Sequence, residues 1–200
     1  MKIKICIIAF TIYEEQLWVS LKPNDDEYSI PEADLHDTSS LDNQAQVLVD
    51  SLLPFVGIDD YREQLYTTVD EKEKVFRVAY VQLVAKSDVL DFNQSFSLGR
   101  LPNLNAEISS LISYARLRLR WKLEYTNVAY SLLPLEFTLS ELQGVYEIIL
   151  GHELDKRNFR KKIHSLHVLV KTRTKKEGIG YRPAQLYRFK DRKPIIVEIL

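Results

Sequence analysis

The strongest constraint in this sequence is a pair of helix signals in close succession, in "EFTLSELQGVYEIILG" and "LDKRNFRKKIHSL". In the first, Thr138 is a good N-cap and Glu141 follows three residues later, the spacing of a capping box. Phe137 and Leu142 flank the cap as a hydrophobic staple. The spacing predicts a helix to about Leu150, with Leu142, Val145, Tyr146 and Ile149 on one face and Gly151 as its stop. After the short turn "GHEL", Asp155 can cap a second helix with Leu154 and Phe159 as its staple pair. At about 3.6 residues per turn, Phe159, Ile163 and Leu166 form a narrow inward stripe, and Arg157, Arg160, Lys161 and His164 fall opposite. The charge is aimed. Two such helices joined by a tight turn make a helix-turn-helix.

The residues that follow complete a winged version of this motif. "HVLVKTRTKKEGIGYRPAQLYRF" reads as a strand over His167–Thr172, a basic tip containing Gly178 and Gly180, and a returning strand over about Ala184–Phe189. A basic helix face can enter a DNA major groove beside a basic hairpin. The expected DNA contacts are Lys156, Arg157, Asn158, Arg160, Lys161 and His164 on the helix. On the wing they are Lys171, Arg173, Lys175, Lys176, Tyr181 and Arg182. The wing cations suit phosphates, which supply affinity and salt dependence. Base discrimination falls to Arg157, Asn158, Arg160 or Lys161, whose side chains can pair with purine edges. His164 is expected beside a phosphate or in solvent.

Charge partition agrees. Residues 134–200 hold 14 Lys/Arg against 8 Asp/Glu, whereas residues 1–133 hold 13 against 20. An acidic front half joined to a basic back half suits a protein that meets a polyanion with its C-terminal part. No apolar run approaches the roughly 20 residues of a membrane span. The opening "MKIKICIIAFTIY" lacks a cleavage site and reads as a first strand. Cys6 is the single cysteine, so neither an internal disulfide nor a cysteine-rich zinc site is available, as fits a reducing cytoplasm.

The front half reads as a mixed sheet with one helix. Its candidate strands are "IKICIIAF", "QLWVSL" and "VFRVAYVQLVA", with a helical stretch within "LHDTSSLDNQAQVLVDSLLPFVGID". In "LPNLNAEISSLISYARLRLRWKLEY", Leu104, Ile108, Leu111, Ala115 and Leu119 recur at helical spacing, which predicts a long connecting helix. Arg116, Arg118 and Arg120 on it are expected to be solvated or paired more than bound to DNA. Trp18, Trp121 and Tyr125 are expected in a core or an interface. No Ser-His-Asp or Cys-His nucleophile arrangement stands out.

The runs "YREQLYTTVDEKEKVFRVAYVQLVA", "LRWKLEYTNVAYSLLPLEFTLSELQGVYEIILG", "LDKRNFRKKI" and "GYRPAQLYRF" resemble the Nudix-related transcriptional regulators, whose members control NAD metabolism or sugar use. The resemblance implies an α+β chain: a Nudix-type α/β/α ligand-sensing domain, then a winged helix-turn-helix that reads a palindromic operator as a homodimer. The boundaries expected are 1–125, including the connecting helix, and 126–200.

An active Nudix enzyme carries Gly-x5-Glu-x7-Arg-Glu-apolar-x-Glu-Glu-x-Gly-apolar, whose glutamates hold Mg²⁺ against a diphosphate. With the terminal Gly at Gly57, Ile58 and Leu52 fit their apolar positions. The other positions fail: His36 and Asp42 replace the first Gly and Glu, Asp50 and Ser51 the Arg-Glu pair, and Pro54 and Phe55 the two metal-binding glutamates. The domain is therefore expected to be degenerate, without catalysis, metal or cofactor. The family's phosphate-side Gly-Gly is Glu32-Ala33 here. Lys22, Pro31, Glu32 and Arg77 are the candidate ligand residues, for an ADP-ribose-like or a sugar-type effector. Pro31, Glu32 and the missing metal cage suit an uncharged or weakly charged ligand, a free sugar for instance, better than ADP-ribose. The alternatives are an active pyrophosphatase acting on ADP-ribose or a related nucleoside diphosphate, and an RNA-binding or scaffold protein using the same basic wing.

Overall fold

The run "KIKICIIAFTIY" forms one long strand, β1 (Lys2–Tyr13), because its apolar residues feed both faces of a sheet. Ile5, Ile7 and Ala9 alternate with Cys6, Ile8 and Phe10, and all six are buried. Burial on alternate sides requires cover on both. The computed structural model describes residues 2–25, 27–35, 40–52, 61–71, 74–85, 94–176 and 183–199. These pack as two compact units, Met1–Arg118 and Leu119–Leu200, with the division inside one helix.

In the first unit β1 runs parallel to β7 (Val75–Leu83), which places Lys4 across from Arg77 and Cys6 across from Ala79. Its other edge is shared. β5 (Glu32–Asp34) pairs with its start, and β2 (Gln16–Ser20) pairs with its end. The β1–β2 turn holds Glu14 and Glu15 at φ 45° and 57°. Two left-handed residues are what a two-residue hairpin needs, and glutamates are unusual there. β6 (Arg62–Asp70) extends the sheet beyond β7, and β8 (Ser95–Ser97) extends it beyond β2. β3 (Lys22–Asn24) and β4 (Glu27–Ser29) form a separate hairpin. Of these strands, β3, β4, β5, β6 and β8 were not among the three expected from the sequence.

Two helices supply the cover. α1 (Leu41–Leu52) begins after Ser40, whose Oγ accepts from the Asn43 N–H at 3.2 Å. Its Ala45, Leu48 and Val49 join Ile5, Ile7, Ala9, Val78 and Tyr80 in one core cluster. α2 (Ala106–Tyr125) is capped by Asn105, whose Oδ1 accepts from the Ile108 N–H at 2.9 Å. Its first part buries Ile108, Leu111 and Ala115, as their spacing predicts, and Ile112 besides; Leu104, expected on the same helix face, precedes the helix and is half-buried. Tyr114 on this helix meets Tyr66 edge-on at 5.0 Å, and Arg118 pairs with Glu63 at 3.1 Å. The first unit is thus an α/β/α layer structure.

In the second unit the last turns of α2 bury Leu119 and Leu123, and Arg120 Nε donates to the Ile149 carbonyl at 2.8 Å. Trp121 and Tyr125, expected in a core or interface, are 41% and 39% exposed. A 3-10 turn (Val128–Leu132) leads to β9 (Phe137–Thr138), then α3 (Leu139–Leu150) and α4 (Lys156–Ser165). β10 (Leu169–Lys176) and β11 (Ala184–Phe189) follow, in a sheet ordered β10-β11-β9. Phe137 and Phe189 pack at 5.2 Å beneath this sheet, with Tyr130 on Phe189 at 6.2 Å. The buried Asn127 amide then straps the C-terminal tail. It donates to the Asp191 and Lys193 carbonyls and accepts from the Ile195 N–H. Farther along the tail, Ile199 is buried, at 2% exposed.

Candidate nucleic-acid interface

The two helix signals fold as their spacing predicts. Thr138 Oγ1 accepts from the Glu141 N–H at 3.1 Å, and Glu141 Oε2 accepts from the Thr138 N–H at 2.7 Å, a reciprocal capping box. Gly151 stops α3 at φ 77°, a conformation that an L side chain resists. Asp155 then caps α4 by accepting from the Asn158 N–H at 2.7 Å.

The turn between the helices is fixed by two side chains that the sequence reading passed over. Glu147 Oε1 accepts from the Leu154 N–H at 2.9 Å and from Gln143 Nε2 at 2.8 Å. Gln143 Nε2 also donates to the Leu154 carbonyl at 3.0 Å. Both polar groups of Leu154, immediately before the α4 cap, are thereby bound from α3, which sets where α4 starts. A Gln-x3-Glu pair ahead of a Gly stop is the signal that could have revealed it.

α4 hangs on Phe159 and Ile163, which are 5% and 1% exposed, and Phe159 packs on Tyr146 of α3 at 5.3 Å. Leu166, expected in the same stripe, is only half-buried, because it is the C-cap and already leaves the helical path. His167 follows at φ 53°, so β10 starts at Leu169 and not at His167 as predicted.

Lys156, Arg157, Asn158, Lys161 and His164 are exposed. None of these α4 cations is ion-paired among the described residues. His164 lies 5.9 Å from the Tyr187 ring. Arg160 differs: it is half-buried and its Nη2 donates to Ser140 Oγ at 3.2 Å, so it leans on the first turn of α3. On the wing, Lys171 and Arg173 are exposed on alternate positions of β10. Lys175 and Lys176 continue the β10 backbone, and their side chains, like Tyr181 and Arg182, lie outside the described residues. Arg188 of β11, absent from the predicted set, is also exposed.

The four candidate ligand residues of the first unit lie on or beside three strands, β3, β5 and β7. Glu32 and Arg77 meet, with Oε2 to Nε at 3.4 Å. Pro31 is buried, and its carbonyl accepts from the Ile7 N–H at 3.0 Å. Lys22 sits on the β3–β4 hairpin. Nearby, burial pushes the Cys6 thiol up to about 12, and it donates to the Val78 carbonyl at 3.7 Å.

At the Nudix-motif positions, Asp42 Oδ1 accepts from the Tyr80 hydroxyl at 3.1 Å and Asp50 Oδ1 accepts from Gln46 Nε2 at 2.6 Å. Ser51 Oγ donates to the Leu48 carbonyl at 2.7 Å. His36, Pro54, Phe55, Gly57 and Ile58 lie outside the described residues. Among the described residues no three His, Cys, Asp or Glu side chains converge as a metal site would require, and no helix is long and apolar enough to cross a membrane.

Residues 129–189 match the family model of the NrtR DNA-binding winged helix domain. Over 79 residues the chain is 49% identical to the ADPR responsive transcriptional repressor NtrR of Acinetobacter baylyi; this covers 40% of the chain and 31% of that protein. The chain therefore spans about a third of the curated relative it matches. Shewanella oneidensis NrtR, crystallised with a 27mer DNA, superposes with a TM-score of 0.79 at 27% identity, covering 94% of this chain and 93% of that one. A MutT/nudix family protein from Enterococcus faecalis superposes at 0.70 over 94% of this chain and 86% of its own, at 17% identity, a likeness of fold. A Nudix-type unit followed by an NrtR-type winged helix is the architecture this chain shares with Shewanella oneidensis NrtR, and in it the chain is similar to the Nudix-related transcriptional regulators.

Proposed function

We propose that this chain is an effector-responsive repressor. Its winged helix, residues 126–200, binds operator DNA, and its Nudix-type unit, with the connecting helix to residue 125, binds a metabolite without hydrolysing it. One observation carries the DNA reading: α4 presents exposed cations, unpaired among the described residues, on a helix anchored by Phe159 and Ile163. Lys156, Arg157, Asn158, Arg160, Lys161 and His164 face the groove, and Lys171, Arg173, Lys175, Lys176, Tyr181 and Arg182 meet the flanking backbone. Ser140 holds Arg160, so its guanidinium arrives already oriented. A homodimer presents two such helices to a palindrome, since half-site symmetry mirrors protein symmetry.

The effector is of the ADP-ribose class, supported by the similarity to the ADPR responsive repressor of A. baylyi. A sugar-type effector is the second reading, favoured by the carboxylate that already neutralises Lys4 and Arg77. Absence of hydrolysis is supported by Asp50, Ser51, Pro54 and Phe55 at the glutamate and arginine positions of the Nudix motif.

Fluorescence anisotropy with a labelled palindromic duplex tests the DNA reading. Arg160→Ala and Lys161→Ala should each weaken binding while leaving the thermal melt in place. Unchanged affinity in both at moderate salt would show that α4 is not the recognition helix. Incubation with Mg²⁺ or Mn²⁺ and ADP-ribose should release no AMP; turnover would restore the pyrophosphatase reading. Structured RNA should compete poorly, because a recognition helix does not fit the A-form major groove.

A further inference from the structure

Lys4 and Arg77 lie directly across from each other on the parallel strands β1 and β7, so both point to one side of the sheet. Like charges in such positions repel unless something bridges them. Glu32 of β5 is that bridge: one carboxylate oxygen binds Lys4 Nζ, and the other lies 3.4 Å from Arg77 Nε. Glu107 at the start of α2 approaches Arg77 Nη1 at 3.6 Å. Asp34, paired across from Lys4 on β5, adds a third carboxylate nearby.

The bridging group is chemically telling. A carboxylate that gives one oxygen to an ammonium and the other to a guanidinium occupies the positions that two oxygens of a phosphate or diphosphate would take. Arg77 is part-buried, with 14% of its side chain exposed, whereas Glu32 and Lys4 are more open, at 29% and 26%. The carboxylate can therefore rotate into water while the more buried Arg77 remains. β5 is short and holds β1 over only three residue pairs, so Glu32 is carried by a light element.

We propose that Lys4 and Arg77 form an anion subsite which Glu32 keeps closed, so that an anionic effector binds by displacing the Glu32 carboxylate. This rests on the reading of the effector as an ADP-ribose-class molecule, and it reconciles that reading with a site whose cations are already neutralised. Glu32 sets specificity: it selects against weakly binding anions, because each must replace two charge-assisted contacts before gaining its own.

The test is isothermal titration of ADP-ribose, and separately of inorganic pyrophosphate, into the full chain at low salt. Glu32→Gln should bind ADP-ribose roughly tenfold more tightly than the unmodified chain, since the carboxylate competing for Lys4 and Arg77 is gone. Adding Arg77→Gln should cancel that gain, and pyrophosphate should compete with ADP-ribose in Glu32→Gln. Glu32→Ala serves as a second variant, and a thermal melt reports whether each folds. Equal or weaker binding by folded Glu32 variants, with the unmodified chain still binding ADP-ribose, would overturn the closed subsite and leave the effector reading standing. If neither chain binds ADP-ribose or pyrophosphate, the effector reading falls too, and the closed subsite with it.

Discussion

The two units treat positive charge in opposite ways. In the first, Lys4 and Arg77 share Glu32, and Arg118 holds Glu63 at 3.1 Å. In the second, Lys156, Arg157 and Lys161 stand in water with no carboxylate partner among the described residues, on a helix whose opposite side is buried. Cations already bonded within the chain support a fold or guard a site. Cations left unpaired on a rigid support are available to something outside it. Local charge density alone does not separate these cases. The number of acidic side chains within reach does, and α4 has few because Asp155 is spent on its cap.

The largest effect that could break this contrast is on the support. Phe159→Ala removes a side chain that is 5% exposed and packs on Tyr146, and should cost about 3–5 kcal/mol of stability. Denaturant unfolding measures it, and DNA binding should disappear with it. A loss under about 1 kcal/mol would mean that α4 is not anchored as described.

The charges come next. Replacing Lys156, Arg157 and Lys161 together with alanine should leave stability within about 0.5 kcal/mol. Duplex affinity should fall roughly a hundredfold, and the slope of log K against log salt should flatten by nearly three. Arg118→Ala is the counterpart in the first unit. It should leave the salt slope untouched and cost about 1 kcal/mol of stability, since its pair with Glu63 is only part-buried. If Arg118→Ala flattened the slope as well, pairing would not be the property that separates the two sets.

A smaller effect sharpens the geometry. Glu147→Ala deletes the acceptor for the Leu154 N–H and for Gln143, and should cost roughly 1–3 kcal/mol. Because the turn sets where α4 starts, the DNA affinity of the folded fraction should also fall. Unaltered affinity would show that the Asp155 cap alone positions the helix.

How much of this was legible in the sequence follows the range of the interactions. The winged helix was readable because its determinants are local. Thr138 with Glu141, Gly151 as the stop and Asp155 as the cap each act within a turn of helix, and β11 spans the residues predicted for it. The first unit was readable only in outline. β5 and β8 are three residues long and exist because β1 and β2 offer edges far away in the chain. β6 carries Glu63, Gln64 and Asp70 among its strand formers, which hides its alternation. The Glu14-Glu15 turn uses residues that rarely signal a hairpin. The pairing of Glu32 with Lys4 and Arg77 joins three strands and has no sequence period. The tail strapped by Asn127 escaped for the same reason.

The smallest expected effect lies beneath the cations of α4. Tyr146 is fully buried in α3, and its hydroxyl has no hydrogen-bond partner among the described residues. An unsatisfied buried hydroxyl costs desolvation without return, so Tyr146→Phe should be neutral or stabilising by up to about 1 kcal/mol at neutral pH. The same burial raises the phenol above its ordinary value of 10.0. A raised acid pKa gives stability that is full below the unfolded value and drains as pH climbs past it, because the unfolded phenol ionises while the buried one does not. The unmodified second unit should therefore weaken above pH 10, and Tyr146→Phe should lose less over the same interval. Urea midpoints at neutral pH and above pH 10 check both signs. Destabilisation at neutral pH would reveal that the hydroxyl has found a partner, and that the core beneath the DNA-facing helix is tied by more than apolar contact.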